Sequence, residues 1–232
     1  MTARGQVDLW WADLDAPWDA GAHPDDRRDA ARLVDRRARR RLLARRSILR
    51  ELLGRYLDCR SDQVVLSRTP SGRPELDWPR SDLHFNASSS AGTALYAITR
   101  GEPIGVDLEH SSRGPGLTSA DHLFLTAAER RMVSEVEPRL RPITLLRLWT
   151  LKEALAKAMG TGLSSDPKEL EFRFIQGQPS PVVVSPGGSR WRGDLIPTSG
   201  GVVAALAVRG DWDSCQQHRF AERLLEKASD SA

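Results

Sequence analysis

The sequence contains only four lysines among its 34 basic residues, and the other 30 are arginines. Codon bias in a GC-rich genome accounts for such a ratio by converting interchangeable lysines to arginines. A lysine that remains is then more often one that needs its ammonium group, because the two side chains are not interchangeable. Two of the four, Lys152 and Lys157, lie five residues apart in one segment.

Cysteines and long apolar runs are also scarce. Two cysteines, Cys59 and Cys215, cannot supply a disulfide framework or a four-cysteine zinc site. No apolar run approaches the ~20 residues of a membrane span, and residues 1–11 lack the apolar core of a signal peptide. We therefore expect a cytoplasmic protein that does not associate with membranes.

The near-neutral net charge of +3 conceals an uneven distribution. Residues 27–50 contain 11 arginines and two acids, which give +9 and leave −6 for the remaining chain. Such a block is typical of a solvated helix face, a nucleic-acid patch or a cradle for a phosphorylated or acidic partner. The acidic remainder and the absence of interleaved aromatic residues argue against nucleic acid.

The 232 residues, of which 40% are hydrophobic, suffice for one large domain or two small ones. Hydrophobic periodicity and turn residues predict the following elements. In the first half these are a strand at Val7–Trp11, a helical segment at Asp25–Tyr56, a strand at Val64–Leu66, a loop at Asn86–Gly92 and strands at Thr93–Thr99 and Ile104–Glu109. In the second half they are a capped helix from Thr126, a helix at Ile143–Met159, and strands at Leu170–Ile175, Pro181–Val184, Arg190–Ile196 and Val202–Val208. Both halves run from a strand through helices to strands, which predicts an α+β fold of two similar lobes, residues 1–102 and 103–232.

The first candidate site lies on the strand Gly105–Glu109. Alternation along a strand directs Asp107 and Glu109 to one face, about 6–7 Å apart, while Val106 and Leu108 face the core. Two such carboxylates suit a hard divalent cation such as Mg²⁺, and without one they repel each other. Taken alone, the pentapeptide fits two solvated acids at a strand end better.

The second candidate site lies on the helix Ile143–Met159. Trp149, Glu153 and Lys157 recur at four-residue spacing and share one face. The alternative is a surface Glu–Lys pair worth ~0.3–0.5 kcal/mol. If Glu153 closes on Asp107 and Glu109, three acids define one metal site, and Lys157 lies one turn away to meet phosphate oxygens.

The third candidate site is a pair of polar segments. Residues 67–74 place Arg68 and Arg73 on a tight turn, and residues 85–90 offer hydroxyl and backbone N–H groups. Both segments can bind anions, although each alone is typical of ordinary turns. Together with the acids and lysines they indicate a site for a polyphosphate held by Mg²⁺.

The order of these motifs resembles one family. The Arg-rich helix at Arg41–Arg50, the Gly-Arg-Pro turn at Gly72–Pro74, the Phe-Asn-x-Ser-x-Ser segment at Phe85–Ser90, and the pair Gly-Val-Asp-Leu-Glu and Trp-Thr-x-Lys-Glu-Ala-x-x-Lys follow one another along residues 25–205. In this order they resemble the surfactin-synthetase-activating (Sfp-type) 4′-phosphopantetheinyl transferases.

The resemblance implies a pseudo-twofold α+β fold in one chain, with coenzyme A bound between the two lobes. The implied reaction transfers the 4′-phosphopantetheine arm of coenzyme A to a serine hydroxyl of an acyl or peptidyl carrier protein and releases adenosine 3′,5′-bisphosphate. Mg²⁺, with Mn²⁺ as an alternative, would be held by Asp107, Glu109 and Glu153. Glu153 has a second implied role as general base, and Lys157, with Lys152, would stabilise the leaving pyrophosphate oxygen.

The resemblance also implies contacts with coenzyme A. The implied contacts are made by Arg46, Arg68, Arg73, Ser88, Ser89, Asp107, Lys152 and Lys157. The family usually has histidine at position 89, where it touches the 3′-phosphate of coenzyme A. Ser89 donates a hydrogen bond without carrying charge, so either nearby arginines compensate, coenzyme A binding and discrimination weaken, or the protein is a coenzyme-A-binding relative that has lost catalysis.

The remaining expectations concern the setting of the reaction. A fused pair of lobes implies a monomer, because the site between them needs no second chain. The family suggests carrier proteins of polyketide or non-ribosomal peptide synthesis, that is, secondary metabolism, and neither nucleic acid nor membrane as a partner.

Overall fold

The computed structural model of the chain describes residues 3–18, 22–70, 72–161, 166–172, 174–175, 178–179, 182–184 and 190–220. Its strands are β1 (Gln6–Asp13), β2 (Val65–Arg68), β3 (Pro74–Trp78), β4 (Leu83–Ser90), β5 (Thr93–Arg100), β6 (Ile104–His110), β7 (Phe174–Ile175), β8 (Gln178–Pro179), β9 (Val182–Val184), β10 (Arg190–Ile196), β11 (Val202–Arg209) and β12 (Ser214–Arg219). Its α-helices are α1 (Pro24–Ala31), α2 (Arg36–Leu57), α3 (Gly114–Leu117), α4 (Asp121–Phe124), α5 (Ala127–Glu135) and α6 (Arg141–Met159). The predicted mixed α+β class is confirmed.

Two four-stranded sheets form the framework. The first has the order β12-β1-β5-β4 and the second β6-β11-β10-β9, while β2 pairs with β3 and β7 with β8. One apolar cluster joins the two sheets face to face, with Leu9 and Leu95 from the first and Val106 and Leu206 from the second. The similarity of the two halves and the boundary at residue 102 stay predictions.

The two long helices cover the outer faces of the sheets. Leu49, Leu52 and Leu53 of α2 pack against Trp10 and Tyr96 of the first sheet and other apolar residues. In the same way α6 packs with α5 on the second sheet around buried Leu148, Leu151 and Leu155. These apolar positions recur at three- and four-residue spacing, which is the pattern that places a helix on a core.

The first predicted helix is interrupted in the structure. The segment Asp25–Tyr56 forms two helices, α1 and α2, and Asp35 caps the second by accepting a 2.7 Å hydrogen bond from the backbone N–H of Ala38. An aspartate that caps a helix satisfies an N–H group that would otherwise lack a partner, so it favours a new helix start. No described helix is both long and apolar enough to cross a membrane.

The predicted loop Asn86–Gly92 is wrong. The segment continues β4 to Ser90 and pairs with β5 through a two-residue turn at Ala91 and Gly92, whose φ angles are 50° and 94°. Positive φ at both central residues is the signature of the type I′ turn that joins twisted antiparallel strands. The polar, serine-rich composition hides the strand, because its backbone pairing does not depend on apolar side chains.

The C-terminal strand β12 has a role that the sequence pattern did not reveal. Residues 214–219 pair in parallel with β1 and so extend the first sheet. The backbone N–H of Phe220 then donates a 2.9 Å hydrogen bond to the carbonyl oxygen of Trp11, which holds the end of this strand in place.

Candidate active site

Three predicted site residues meet where β4, β6 and α6 come together. Asp107 is buried, and its Oδ1 accepts a 2.6 Å hydrogen bond from Lys157 Nζ and a 2.9 Å bond from Ser88 Oγ. Lys157 Nζ also lies 3.1 Å from Ser88 Oγ. Asp107 Oδ2 is buried without a hydrogen-bond partner among the described residues. The cluster therefore combines a fixed ammonium, a hydroxyl and a carboxylate oxygen that is free to accept a ligand.

Glu109 and Glu153 add further negative charge near Asp107. Burial raises the pKa of Glu153, and the nearby charge of Asp107 raises it further. The pKa of Glu109 is raised by the same two causes. Carboxylates that raise one another's pKa lack enough positive charge between them, so an added cation favours their ionised forms.

Two basic side chains form ion pairs with these acids. Arg113 forms an ion pair with Glu109, and Lys157 forms one with Asp107. Within the part of the chain that the structure describes, no three or more histidine, cysteine, aspartate or glutamate side chains form a group that could hold a metal ion. A metal that bound to all three predicted acids would share Glu109 with Arg113 or displace that arginine.

Trp149 lies at the other end of the predicted helix stripe. Phe124 contacts its ring edge-on at a centroid distance of 5.2 Å, and the guanidinium of Arg113 lies over the ring, 5.0 Å from its centroid. A cation over an aromatic face is held electrostatically, so Trp149 helps to position the arginine that pairs with Glu109.

Lys152 lies outside this cluster, and its implied contact with coenzyme A stays a prediction. Its Nζ lies 2.8 Å from Glu129 Oε2 and donates to the carbonyl oxygens of Pro167 at 2.9 Å and Leu170 at 2.5 Å. Its side chain is only 2% exposed, and these three partners match the three N–H bonds of an ammonium group. In this structure Lys152 joins α6 to the segment that follows it.

Arg46 and Arg68 both donate hydrogen bonds to Asp29. Arg46 Nη1 donates to Asp29 at 2.8 Å and to Asp26 at 3.2 Å, and Arg68 Nη2 donates to Asp29 at 3.3 Å. The Arg46 hydrogen bond lowers the pKa of Asp29. Arg46 is thus committed to a network of ion pairs, whereas Arg68 is about half exposed and keeps N–H groups for a ligand.

Arg73 acts as a bridge between elements. One side of its guanidinium donates to the carbonyl oxygen of Lys157 at 2.5 Å, and Nη2 donates to the carbonyl oxygens of Phe85 at 3.4 Å and Ile104 at 3.3 Å. These carbonyls belong to α6, β4 and β6. The structure therefore directs Arg73 to backbone groups, and its implied contact with phosphate stays a prediction.

Ser88 and Ser89 lie on opposite sides of β4. Ser88 faces Asp107, and Ser89 faces α2, where its Oγ accepts a 3.2 Å hydrogen bond from Arg45 Nη1. Sequence reasoning selected Arg46, whereas Arg45 is the arginine that contacts Ser89. The alternation of β4 would have shown that position 89 faces α2, but only once the segment is known to be a strand.

Comparison with known proteins identifies the family. A family model described as the 4′-phosphopantetheinyl transferase superfamily matches residues 103–207, which include β6 and α6. The 4′-phosphopantetheinyl transferase HetI of Nostoc sp. strain PCC 7120 is 32% identical over 213 residues, which is 88% of each chain. The chain belongs to the 4′-phosphopantetheinyl transferase family. The resemblance predicted from the order of the motifs is thereby confirmed, and membership of a transferase family favours an enzyme over a nucleic-acid-binding protein.

More distant relatives of this transferase extend beyond bacteria. The L-aminoadipate-semialdehyde dehydrogenase-phosphopantetheinyl transferase of Mus musculus is 28% identical over 160 residues, 64% of this chain and 52% of that protein. A holo-(acyl-carrier-protein) synthase from Bacillus anthracis has a TM-score of 0.42 at 20% identity, over 48% of this chain and 99% of the other.

Proposed function

We propose that this family member transfers the 4′-phosphopantetheine arm of coenzyme A to a serine hydroxyl of an acyl or peptidyl carrier protein. The observation that supports this most directly is the cluster of Asp107, Ser88 and Lys157, with Glu109 and Glu153 beside it. A buried arrangement of acids, an ammonium group and a hydroxyl suits a pyrophosphate, whose charge must be balanced during transfer.

Lys157 and Ser88 are the donors in this proposal. Of the lysines that the structure describes, only Lys157 is directed into the cluster, and its ammonium would bind the pyrophosphate oxygen that gains charge as the bond breaks. Ser88 Oγ donates a hydrogen bond to Asp107 and would orient both this carboxylate and the bound pyrophosphate. The side chain of Lys157 is 27% exposed, so a ligand can reach it.

The acids would supply the oxygen ligands of a divalent cation after rearranging, because among the described residues they do not form a group that could hold one. Asp107 would contribute Oδ2, which has no described partner, and Glu109 and Glu153 would contribute the carboxylates whose pKa values are raised by negative charge. When bound, Mg²⁺ or Mn²⁺ would offset charge on the pyrophosphate and help to orient it for in-line attack. Oxygen ligands of this kind suit both ions.

Glu153 would also serve as the general base. The carrier serine Oγ attacks the phosphorus that bears the pantetheine arm, and its proton passes to the Glu153 carboxylate. The bond from that phosphorus to the bridging oxygen breaks, and adenosine 3′,5′-bisphosphate leaves with the electron pair. Burial raises the pKa of Glu153 in the structure without a metal, whereas a bound cation would favour the ionised carboxylate, which is the form that accepts the serine proton.

The location of the coenzyme site, the oligomeric state and the class of carrier protein are proposed from the family. Coenzyme A would bind between two similar lobes of a cytoplasmic monomer. The carrier proteins would belong to polyketide or non-ribosomal peptide synthesis.

The test is intact-mass analysis of apo carrier proteins incubated with coenzyme A and Mg²⁺. The transferase predicts a mass increase of one phosphopantetheine group, lost in Asp107→Ala and Glu153→Gln. Glu137→Gln, which changes an exposed acid outside the cluster, should transfer normally. Full transfer by both cluster variants would refute the assigned roles, whereas coenzyme A binding without any transfer would support a relative that has lost catalysis.

A further inference from the structure

The cluster of Ser88, Asp107 and Lys157 is built from three elements that no sheet pairing joins. Ser88 lies on β4, Asp107 on β6 and Lys157 on α6. Strands β4 and β6 are the end strands of different sheets, and in the described sheets they do not pair with each other. The outer backbone groups of an end strand have no partner in their own sheet, and where they are buried they need other partners. Side chains can supply the connection.

One connecting side chain is Asn86 of β4. It is buried, and its Oδ1 accepts a 2.9 Å hydrogen bond from the backbone N–H of Val106 on β6. Val106 directly precedes Asp107, and Asn86 lies two positions before Ser88 on the same face of its strand. This hydrogen bond sets the two strands against each other, and a further connection has to hold α6.

Arg73 connects all three elements. Its Nη1 donates a 2.5 Å hydrogen bond to the carbonyl oxygen of Lys157 on α6. Its Nη2 donates to the carbonyl oxygens of Phe85 on β4 at 3.4 Å and Ile104 on β6 at 3.3 Å. The N–H donors of a guanidinium point in fixed directions within one plane, so a single arginine can fix the relative positions of several acceptors.

The contact with α6 is made at the lysine that enters the cluster. Lys157 lies in the last turn of α6, before the left-handed Gly160, and its carbonyl oxygen also accepts a 3.2 Å hydrogen bond from the N–H of Gly160. Carbonyl oxygens at the end of a helix favour a nearby cation. The side chain of the same lysine extends to Asp107 Oδ1, 2.6 Å from Nζ. A shift of this helix end would therefore move the ammonium group away from the carboxylate.

The backbone of Arg73 is itself held in place by Thr69, at the turn between β2 and β3. The N–H of Arg73 donates to Thr69 Oγ1 at 3.1 Å, and its carbonyl oxygen accepts a 2.9 Å hydrogen bond from the N–H of Thr69. The Nε atom of Arg73 is buried, and both Nη atoms donate to carbonyl oxygens. The guanidinium is thus directed at the backbone of its neighbours from a fixed starting point.

We propose that Arg73 is a positioning residue, which holds the end of α6 against β4 and β6 and so sets the distance between Lys157 Nζ and Asp107. This rests on the proposed function, under which Lys157 binds the pyrophosphate oxygen that gains charge. Loss of Arg73 leaves every group of the cluster present but displaced. A displacement of about 1 Å can cost about 100-fold in rate, so the transfer step should slow while coenzyme A still binds.

Steady-state kinetics of Arg73→Gln test this through the separate effects on kcat and KM. With saturating carrier protein, kcat should fall about 10–100-fold, and KM for coenzyme A should change by less than about 3-fold. A rise in KM as large as the fall in kcat, or larger, would mean that Arg73 binds the coenzyme directly, and it would overturn the proposal. An unchanged kcat would overturn it as well.

Arg141 offers a matched control at the other end of α6. Its Nε and Nη2 donate to the carbonyl oxygens of Val136 at 3.0 Å and Ser134 at 2.7 Å. Arg141→Gln removes the same charge and the same kind of hydrogen bond about 24 Å along the helix from Lys157. Its kcat should stay within about 2-fold of the wild type, even if its unfolding temperature falls. Equal losses of kcat in the two variants would show that Arg73 acts only through stability.

Arg73→Lys keeps the test decisive if Arg73→Gln does not fold. Lysine retains the positive charge near the end of α6 but offers one nitrogen atom in place of a planar fork. We expect kcat to fall about 3–10-fold, less than in Arg73→Gln, with KM for coenzyme A unchanged. Wild-type kcat in folded Arg73→Lys would show that charge alone suffices and would contradict the positioning role.

Nuclear magnetic resonance tests the contact without activity. The sequence has four lysines, so labelling lysine carbonyl carbons with ¹³C gives few signals, and that of Lys157 is assigned by its loss in Lys157→Arg. Arg73→Gln removes a hydrogen bond from this carbonyl and should move its signal, whereas Arg141→Gln should not. A Lys157 signal that Arg73→Gln leaves in place would overturn the proposal.

The two measurements separate this inference from the proposed function. If the wild type transfers nothing to any carrier protein, the proposed function fails, and the carbonyl signal still decides whether Arg73 holds Lys157. If the wild type transfers and Arg73→Gln does so at the same rate, the transferase stands and the positioning role of Arg73 is refuted.

Discussion

The ammonium group of Lys152 lies in a pocket formed by Glu129 and the carbonyl oxygens of Pro167 and Leu170. Glu129 is itself fully buried and accepts hydrogen bonds from the backbone N–H groups of Thr126 and Phe172. Burial lowers the pKa of Lys152, which the charge of Glu129 opposes. Removing either partner of a buried ion pair whose hydrogen bonds are all made strongly destabilises the folded protein, because the other charge stays buried without a partner.

We therefore predict that Lys152→Met destabilises the protein strongly. The change leaves Glu129 buried without a counter-charge, which costs about 3–5 kcal/mol of unfolding free energy. Denaturant unfolding measures this, and the double variant Lys152→Met/Glu129→Gln should recover part of the loss. Lys168→Met, at an exposed lysine, should change the free energy by less than about 0.5 kcal/mol. Normal stability with a raised KM for coenzyme A would instead return Lys152 to the coenzyme site.

The contrast between Lys152 and Lys157 shows which site residues are predictable from sequence. Asp107 and Glu109 follow from strand alternation, and Glu153 and Lys157 from the four-residue spacing, because both rules are local. Lys152 precedes Glu153 by one position, so the helix turns it by about 100° onto another face. Its partner Glu129 lies 23 positions earlier in the chain, and no spacing rule connects them.

At the scale of elements, the approach of β6 to α6 decides where the site residues meet. Gly105 of β6 has no side chain, and a Cβ atom there would lie 2.1 Å from the carbonyl oxygen of Ala154 and 2.4 Å from the backbone N of Ala158. The helix can lie this close only because the strand presents a glycine to it. Asp107 and Lys157 face each other across the same contact.

Gly105→Ala should consequently push α6 away from β6. The clash is with backbone atoms, which cannot rotate aside, so we expect a loss of about 3 kcal/mol or more of unfolding free energy, at the upper end for overpacking. Transfer activity of the remaining folded protein should fall, because the Lys157–Asp107 contact lengthens. Gly116→Ala, where a Cβ meets nothing within 4 Å, is the matched control and should be neutral or slightly stabilising in thermal unfolding. Equal stability of the two variants would show that the helix and strand can separate freely.

Two of the strands that sequence reasoning missed, wholly or in part, are polar. Strand β12, Ser-Cys-Gln-Gln-His-Arg, is mostly exposed and has no apolar alternation to mark it. Strand β4 alternates apolar and polar residues in its first half, Leu-His-Phe-Asn, and is serine-rich in its second half, which is typical of a loop. Backbone pairing orders both strands: β12 pairs with β1, far along the chain, and β4 pairs with β5 across a two-residue turn. Patterns of apolar side chains do not report this pairing.

At the scale of the whole molecule, the basic stretch 27–50 divides into two kinds of arginine. Arg46 and Arg50 are tied to Asp26, and Arg37 and Arg41 to Asp15. Others, including Arg27, Arg36 and Arg39, extend into solvent. The charge of +9 thus serves partly to join α2 to α1 and to Asp15, and partly to expose positive charge at the surface.

Under the proposed function, this surface should accelerate encounter with carrier proteins that are acidic around the modified serine. Replacing Arg27, Arg36 and Arg39 together by glutamine should raise KM for such a carrier about 3–10-fold at low salt, because long-range attraction increases association rates. The effect should fade near 1 M salt, where the screening length is about 3 Å, and KM for coenzyme A should not change. A control variant removes the same charge at exposed arginines elsewhere in the chain, Arg139→Gln, Arg190→Gln and Arg209→Gln. If the control raises KM equally, net charge alone is responsible; if neither variant does, the exposed arginines of this stretch do not guide the carrier protein.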